Sequence, residues 1–302
     1  MKKSIILLAF FSALAVQAQI MNVTTIERIE LPQVVDGPTL AVALSPQGDY
    51  LLLSSDTKQG LVKWDLSTST ATILTSDAGT GSDVCISEDG RHVVYGQVSY
   101  KDRRRHESVK AIDLETGKTK TLLKPSRNLH AIQLEKSTAV VVADGQLKRQ
   151  ALEGKDAQSS RPVLSHHHLK LYITRDGMTT AFAPNGSDER YIWASLSPDA
   201  TRVLYYVSGH GAFVCDIDGG NLTAMGNLTA PKWWDNNTVV GMDEIDDEYS
   251  IVSSRIVACT LDGRRQTLTG DDVIATYPQP SSAAGTIAFS TPDGKVYLIH
   301  VN

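Results

Sequence analysis

The sequence predicts an all-β fold, a six-bladed β-propeller of four-stranded antiparallel blades in which an N-terminal strand completes the last blade. Three observations predict it: a recurring tight turn feeding an apolar run, a second turn type following at regular spacing, and no sustained helical periodicity. A chain of 302 residues is long for one ordinary domain, but closed all-β rings reach this size as a single unit. Its 41% hydrophobic content supplies a sizeable core.

The first turn type is clearest at Ser45–Asp49, Ser87–Arg91 and Ser197–Thr201, which read Ser-Pro-Gln-Gly-Asp, Ser-Glu-Asp-Gly-Arg and Ser-Pro-Asp-Ala-Thr. Each is polar and tight, and each leads into a β-branched or aromatic run such as Arg202-Val203-Leu204-Tyr205-Tyr206, the pattern of a strand–turn–strand hairpin. Weaker copies stand at Leu134–Thr138, Trp234–Thr238 and Ser281–Gly285, making six. After each hairpin comes another apolar strand, a second turn and a polar strand, as in Phe213–Ile217 before Asp218-Gly219-Gly220-Asn221. Four strands per roughly forty-residue unit is the repeat of a propeller.

One interval is longer, with about sixty residues between the third and fourth turns. Leu169–Gly177 reads as the third strand and turn of a blade and Met178–Ala183 as its outer strand, so Gln146–His168 is expected to be an insertion in blade three. A seventh, degenerate blade is the alternative. The chain ends in a third strand, Lys295–Asn302, with none to follow it, while Thr24–Leu31 alternates apolar and polar residues ahead of the first blade. Pairing the two would close the ring and remove an exposed edge.

The first eighteen residues read as a secretory signal peptide, with Lys2 and Lys3 before an apolar stretch and small residues at Val16-Gln17-Ala18. Residues 19–302 are then one propeller domain, expected to be periplasmic or extracellular, not membrane-spanning, and monomeric. A net charge of −5 gives no electrostatic footprint for nucleic acid.

The Ser-Pro-Asp-Gly type of turn, the strand after it and the Asp-Gly-Gly turn resemble the repeat of TolB-like propellers. Related blades occur in prolyl-oligopeptidase-type propellers and in oligogalacturonate lyases. The resemblance covers nearly the whole mature chain; it implies the fold and says little of function, because such folds host many activities.

Cys85, Cys215 and Cys259 are odd in number, so at least one thiol is free in a monomer. Cys215 and Cys259 share a third-strand position held elsewhere by Trp64, Ile112, Ile173 and Ile299, an inward-facing site where cysteine acts as a small hydrophobe. All three are expected to be buried and unpaired. His166-His167-His168 raises a metal site, and the histidine-centred metal of oligogalacturonate lyases implies a divalent ion on His166 and His168. Alternation along an extended chain, and no acidic residue at ligand spacing, favour a solvated loop and no cofactor. No Gly-x-Ser-x-Gly elbow is present, so no catalytic residue is assigned.

The loops joining second to third strands share one face of a propeller. There the blade-two loop carries Arg103, Arg104 and Arg105, and the blade-five loop carries Asp243, Glu244, Asp246 and Asp247. In a six-bladed ring these stand opposite each other, with His210 and Trp233 expected between them. Such a polarised rim suits a protein, peptide or oligosaccharide partner, which makes a non-enzymatic binding or scaffold module the expected function. The rival expectation is a metal-dependent polysaccharide lyase or hydrolase using the axial pocket.

Overall fold

The computed structural model describes residues 19–154 and 159–302; the segment read as an export signal lies outside the described residues. Among the described residues every regular element is a strand. Strand β1 (Val23–Ile29) precedes blade one, which comprises β2 (Thr39–Leu44), β3 (Tyr50–Ser55), β4 (Leu61–Asp65) and β5 (Thr70–Thr75). Blade two is β6 (Val84–Ile86), β7 (His92–Lys101), β8 (Arg104–Asp113) and β9 (Thr119–Ser126). Blade three has three strands, β10 (Leu129–Glu135), β11 (Thr138–Ala143) and β12 (Gln146–Ala151). Blade four also has three, β13 (Val163–His167), β14 (Lys170–Arg175) and β15 (Met178–Phe182). Blade five is β16 (Tyr191–Leu196), β17 (Arg202–Val207), β18 (Gly211–Asp216) and β19 (Thr223–Gly226). Blade six is β20 (Thr229–Trp233), β21 (Thr238–Asp246), β22 (Ile251–Thr260) and β23 (Arg265–Thr267). Blade seven is β24 (Thr276–Ser281), β25 (Thr286–Ser290) and β26 (Val296–Val301), with β1 as its outer strand.

The ring therefore has seven blades, which corrects the six-bladed expectation in favour of its alternative. All six turns form hairpins between first and second strands, as expected. The error lies in Gln146–His168, which is no loop insertion: it supplies β12 and β13. These two strands split what would have been one four-stranded blade into two three-stranded ones, with β14 and β15 keeping the third- and outer-strand character read from sequence. The direction of β13 follows from this. Gln133 Nε2 donates to Leu164 O at 2.9 Å and His130 Nδ1 lies 3.1 Å from His166 O, so β13 runs antiparallel to its inner neighbour β10.

The serine turns owe their recurrence to a hydrogen-bond economy. Ser197 Oγ donates to Asp199 Oδ1 at 2.6 Å and accepts the Arg202 amide at 3.0 Å. Ser87 likewise bonds Asp89 and accepts the His92 amide, and Ser45 bonds Asp49 and accepts the Tyr50 amide. One buried hydroxyl thus satisfies backbone donors that the tight reversal would leave unpaired.

The repeat position is core throughout: Trp64, Ile112, Cys215, Cys259 and Ile299 in third strands, and Ile173 in the second strand of blade four, are all buried. Alternate residues of each blade pack against the blade beside it, as when Leu204 and Val214 meet Val239, Val257 and Cys259. All three cysteines are free. Cys215 and Cys259 are buried, while Cys85 is only half-buried because it faces the axis. Closure is as expected, with β1 antiparallel to β26 from Val23 opposite Val301 to Ile29 opposite Val296. Gln266 reinforces it, its Oε1 accepting the Ile20 and Met21 amides at 2.7 and 2.9 Å and its Nε2 donating to Met21 O at 2.8 Å.

Candidate functional site

The two ends of the ring differ. The serine turns gather at one end, where Gln47 bonds the Glu88 carbonyl, Asn236 accepts the Asp199 amide and Ser281 bonds the Pro46 carbonyl. At the other end two hairpins outreach the rest, β7–β8 and β21–β22, each built from strands of nine or ten residues. The basic tip belongs to blade two, with Arg103, Arg104 and Arg105 exposed and Arg105 paired to Glu107 at 3.0 Å. The acidic hairpin belongs to blade six, so two blades lie between the poles one way and three the other, and they do not stand diametrically opposed.

Parts of the acidic hairpin are already engaged. Asp247 Oδ1 accepts the Tyr249 and Ser250 amides, which hold its carboxyl below the usual range, and Asp246 accepts the Glu248 amide. Asp243 pairs with Arg265 at 3.2 Å. Glu244 is half-buried beside Tyr206, whose hydroxyl pKa is raised by burial and by Glu244 and Asp246. His210 sits at this end, 3.7 Å from Glu189. Trp233 does not. It closes β20 at the serine-turn end, its indole Nε1 donating to Ser195 O at 3.4 Å and its ring packing on the Leu204–Val239 cluster. Trp234 packs on the separate cluster of Val240 and Ile299, so both tryptophans serve the core.

The hairpin end has aromatic residues that the sequence did not single out. Trp193 occupies a bulge of β16 with φ of 51°, which turns its exposed ring edge-on to Tyr206 at 5.3 Å. The Lys58 ammonium lies 5.6 Å from the centre of the Tyr277 ring. Of the eleven large hydrophobic side chains exposed among the described residues, seven stand at this end: Tyr100, Leu169, Trp193, Ile245, Tyr249, Val252 and Tyr277. Exposed apolar side chains are thus concentrated on the hairpin end.

The axis itself is a polar channel of about 610 Å³, walled by first strands of blades two to six. Asp83, Glu107, Glu135, His166, Ser195 and Lys232 line it. Asp83 and Lys232 are open to the channel yet enclosed by its walls. Burial raises the Asp83 pKa, opposed by Lys232 and Arg105, and burial lowers the Lys232 pKa, opposed by Cys85 and Asp83. Each charge therefore feels the other, but no ion pair joins them. The Cys85 thiol beside them is pushed up to about 12 by burial and by Asp83. Neither Asp83 nor Lys232 carries a sequence motif; the available signal was an ionisable residue inside or immediately before a first strand.

The histidine run divides. His166 points into the channel, its Nε2 without a hydrogen-bond partner and its pKa lowered by burial. His167 and His168 are exposed, with the His167 ring 4.7 Å from His130 and 4.1 Å from His168. His166 and His168 thus belong to a strand and a turn rather than to the expected loop, and they do not converge with a third ligand. Among the described residues, one group of three metal-ligating side chains comes within 4.8 Å, His92, Asp113 and Glu153. Arg91 already binds both carboxylates, Asp113 at 2.7 and 3.0 Å and Glu153 at 2.7 Å, and so places a fixed positive charge where a cation would sit.

No protein-family model matches the chain, and no curated protein matches it. Solved structures do. A chain of the mitotic checkpoint complex aligns with a TM-score of 0.61 at 12% identity, covering 100% of this chain and 98% of that one. The β-propeller domain of Cps50 (Swd1) from Myceliophteria thermophila aligns at 0.55 with 12% identity over 91% and 99%. A putative TolB from Agrobacterium tumefaciens aligns at 0.52 with 16% identity over 88% and 91%. At these identities the likeness is one of fold, and the fold is the β-propeller.

Proposed function

We propose that this chain is an exported binding or scaffold propeller without catalysis of its own, and that its protein, peptide or glycan partner docks on the hairpin end. The observation that carries this reading is the gathering of seven exposed large hydrophobic side chains on the end that also bears the oppositely charged hairpins. Aromatic anchors within a charged rim are the usual composition of a recognition surface. The propeller neighbours, one of them from a multiprotein complex, support a partner-binding role. The basic and acidic poles orient a partner of complementary charge and speed its encounter.

Two variants test it. Arg103→Glu with Arg104→Glu reverses the basic tip, and Tyr100→Ala with Tyr249→Ala strips the aromatic tips. Both are expected to lose partners captured from an envelope extract and identified by mass spectrometry. Capture unchanged in both variants overturns the hairpin end as the docking surface.

A second reading, metal-dependent polysaccharide chemistry in the axial channel, is favoured by the crowding of His130, His167 and His168 beside His166. Elemental analysis of purified protein decides it: stoichiometric Mn, Zn or Ca that disappears on substituting His166 and His168 would establish that reading.

A further inference from the structure

Unsatisfied polarity in this molecule is concentrated in one place. Among the described residues, six buried side-chain polar atoms lack a hydrogen-bond partner, and four of them line the axial channel: both oxygens of Glu135, His166 Nε2 and Ser195 Oγ. A fifth, Arg149 Nε, belongs to the guanidinium that approaches Glu135 to 3.7 Å. Glu135 is more than nine-tenths buried, with a side-chain exposure of 8%. Buried polar atoms are normally paired, and each left unpaired costs about 1–3 kcal/mol. Glu135 keeps only its long ion pair to Arg149, so four such atoms on one cavity wall leave hydrogen-bonding capacity that the chain does not fill.

The charges in the channel narrow the chemistry. Lys232 comes from blade six and Asp83 from blade two, and both face the same space without forming an ion pair. A simple anion would pair with Lys232 or Arg161 but would be repelled by Asp83, Glu107 and Glu135. A simple cation would pair with those carboxylates but would be repelled by Lys232 and Arg161. A neutral polyol would displace water from both charges and pair neither. A ligand carrying both signs satisfies the two together.

We propose that the axial channel binds a zwitterion of amino-acid or short-peptide size, with its carboxylate on Lys232 and its ammonium on Asp83. Glu135, His166 and Ser195 bind the polar atoms between the two ends. The volume of about 610 Å³ lies within the range of small-molecule sites. This site lies inside the ring and is independent of the docking surface on the hairpins.

The test is calorimetric titration with alanine, trialanine, N-acetyl-trialanine and trialanine amide. Alanine or trialanine is expected to bind, the stronger of the two setting the ligand size, and blocking either terminus is expected to weaken binding at least about ten-fold. Lys232→Met should bind the free-acid and amide peptides equally, and Asp83→Asn should bind the free-amine and acetylated peptides equally. Each variant is expected to fold, because both side chains are exposed to the channel, and thermal melting verifies it. Arg103→Glu with Arg104→Glu should bind trialanine as the wild type does, which separates failure here from failure of the hairpin surface. The proposal is overturned if neither zwitterion binds at about 10 mM, or if N-acetyl-trialanine and trialanine amide both bind as well as trialanine.

Discussion

Replacing Ser197 by alanine tests whether the serine turns stabilise the ring through their hydroxyls. Ser197 is fully buried, and its Oγ serves two partners, the Asp199 carboxylate at 2.6 Å and the Arg202 amide at 3.0 Å. The alanine variant leaves the Arg202 N–H unpaired at the start of β17, a loss of about 1–3 kcal/mol for a buried donor. The amide is only partly buried, so water recovers some of this and the expected loss at pH 7 is about 1–2 kcal/mol. For a domain of this size that lowers the melting midpoint by about 2–3 °C. Protonation supplies an internal control. Burial pushes the Asp199 pKa up, but the Ser197 hydroxyl with the Thr201 amide and hydroxyl outweighs it, leaving the carboxyl below its ordinary value. A depressed carboxyl stabilises the fold above its unfolded pKa of about 4, and that contribution is lost as pH falls through the folded value. The difference between wild type and Ser197→Ala should therefore be full at pH 7 and shrink below about pH 4. Scanning calorimetry at both pH values is the assay. A variant as stable as wild type would refute the hydroxyl's role, and a loss undiminished in acid would refute the contribution of its bond to Asp199.

Other perturbations probe separate parts of the ring. Burial raises all three thiol pKa values, Cys85 and Cys215 to about 12, so the native protein should resist a disulfide reagent at pH 8 and show three thiols once unfolded; rapid native labelling would contradict this. In Gly241→Ala the new Cβ would lie 2.6 Å from Leu228 Cγ and 3.0 Å from the Thr229 carbonyl, and Leu228 is fully buried. The expected overpacking cost is about 1–3 kcal/mol by urea denaturation, and a neutral result would show the Leu228 pocket to be loose. Gln266→Ala removes the three hydrogen bonds that clamp Ile20 and Met21, for a loss of about 1–3 kcal/mol. Its N-terminal strand should exchange amide hydrogens faster, and unchanged protection would mean that the ladder with β26 alone closes the ring.

Much of this architecture was legible where chemistry is local. A serine two to four residues before an aspartate announces its turn, and residues such as Ile112, Cys215 and Ile299 betray a shared wall by recurring at one repeat position. Strands β12 and β13 escaped because their signals are not local. Gln146–Ala151 is largely polar and becomes a strand by pairing with the fully buried β11. Val163–His167 ends in histidines, and its turn is made by His168 and Leu169 at positive φ, where glycine or asparagine would have signalled it. The channel was illegible for a different reason. Asp83 and Lys232 belong to blades two and six, and only closure of the ring brings them to one space.

The reversed strand β13 carries a rule of parity. A blade with an even number of strands returns the chain to the end of the ring where it entered, whereas an odd blade delivers it to the opposite end. Blades three and four are both odd, and each cancels the inversion of the other. Losing any one strand would send every later blade in upside down, exchanging the acidic hairpin with the serine turns and presenting β26 to β1 in the wrong direction. A ring of this kind can therefore lengthen or shorten by pairs of strands, and it is the two added by Gln146–His168 that turn six blades into seven.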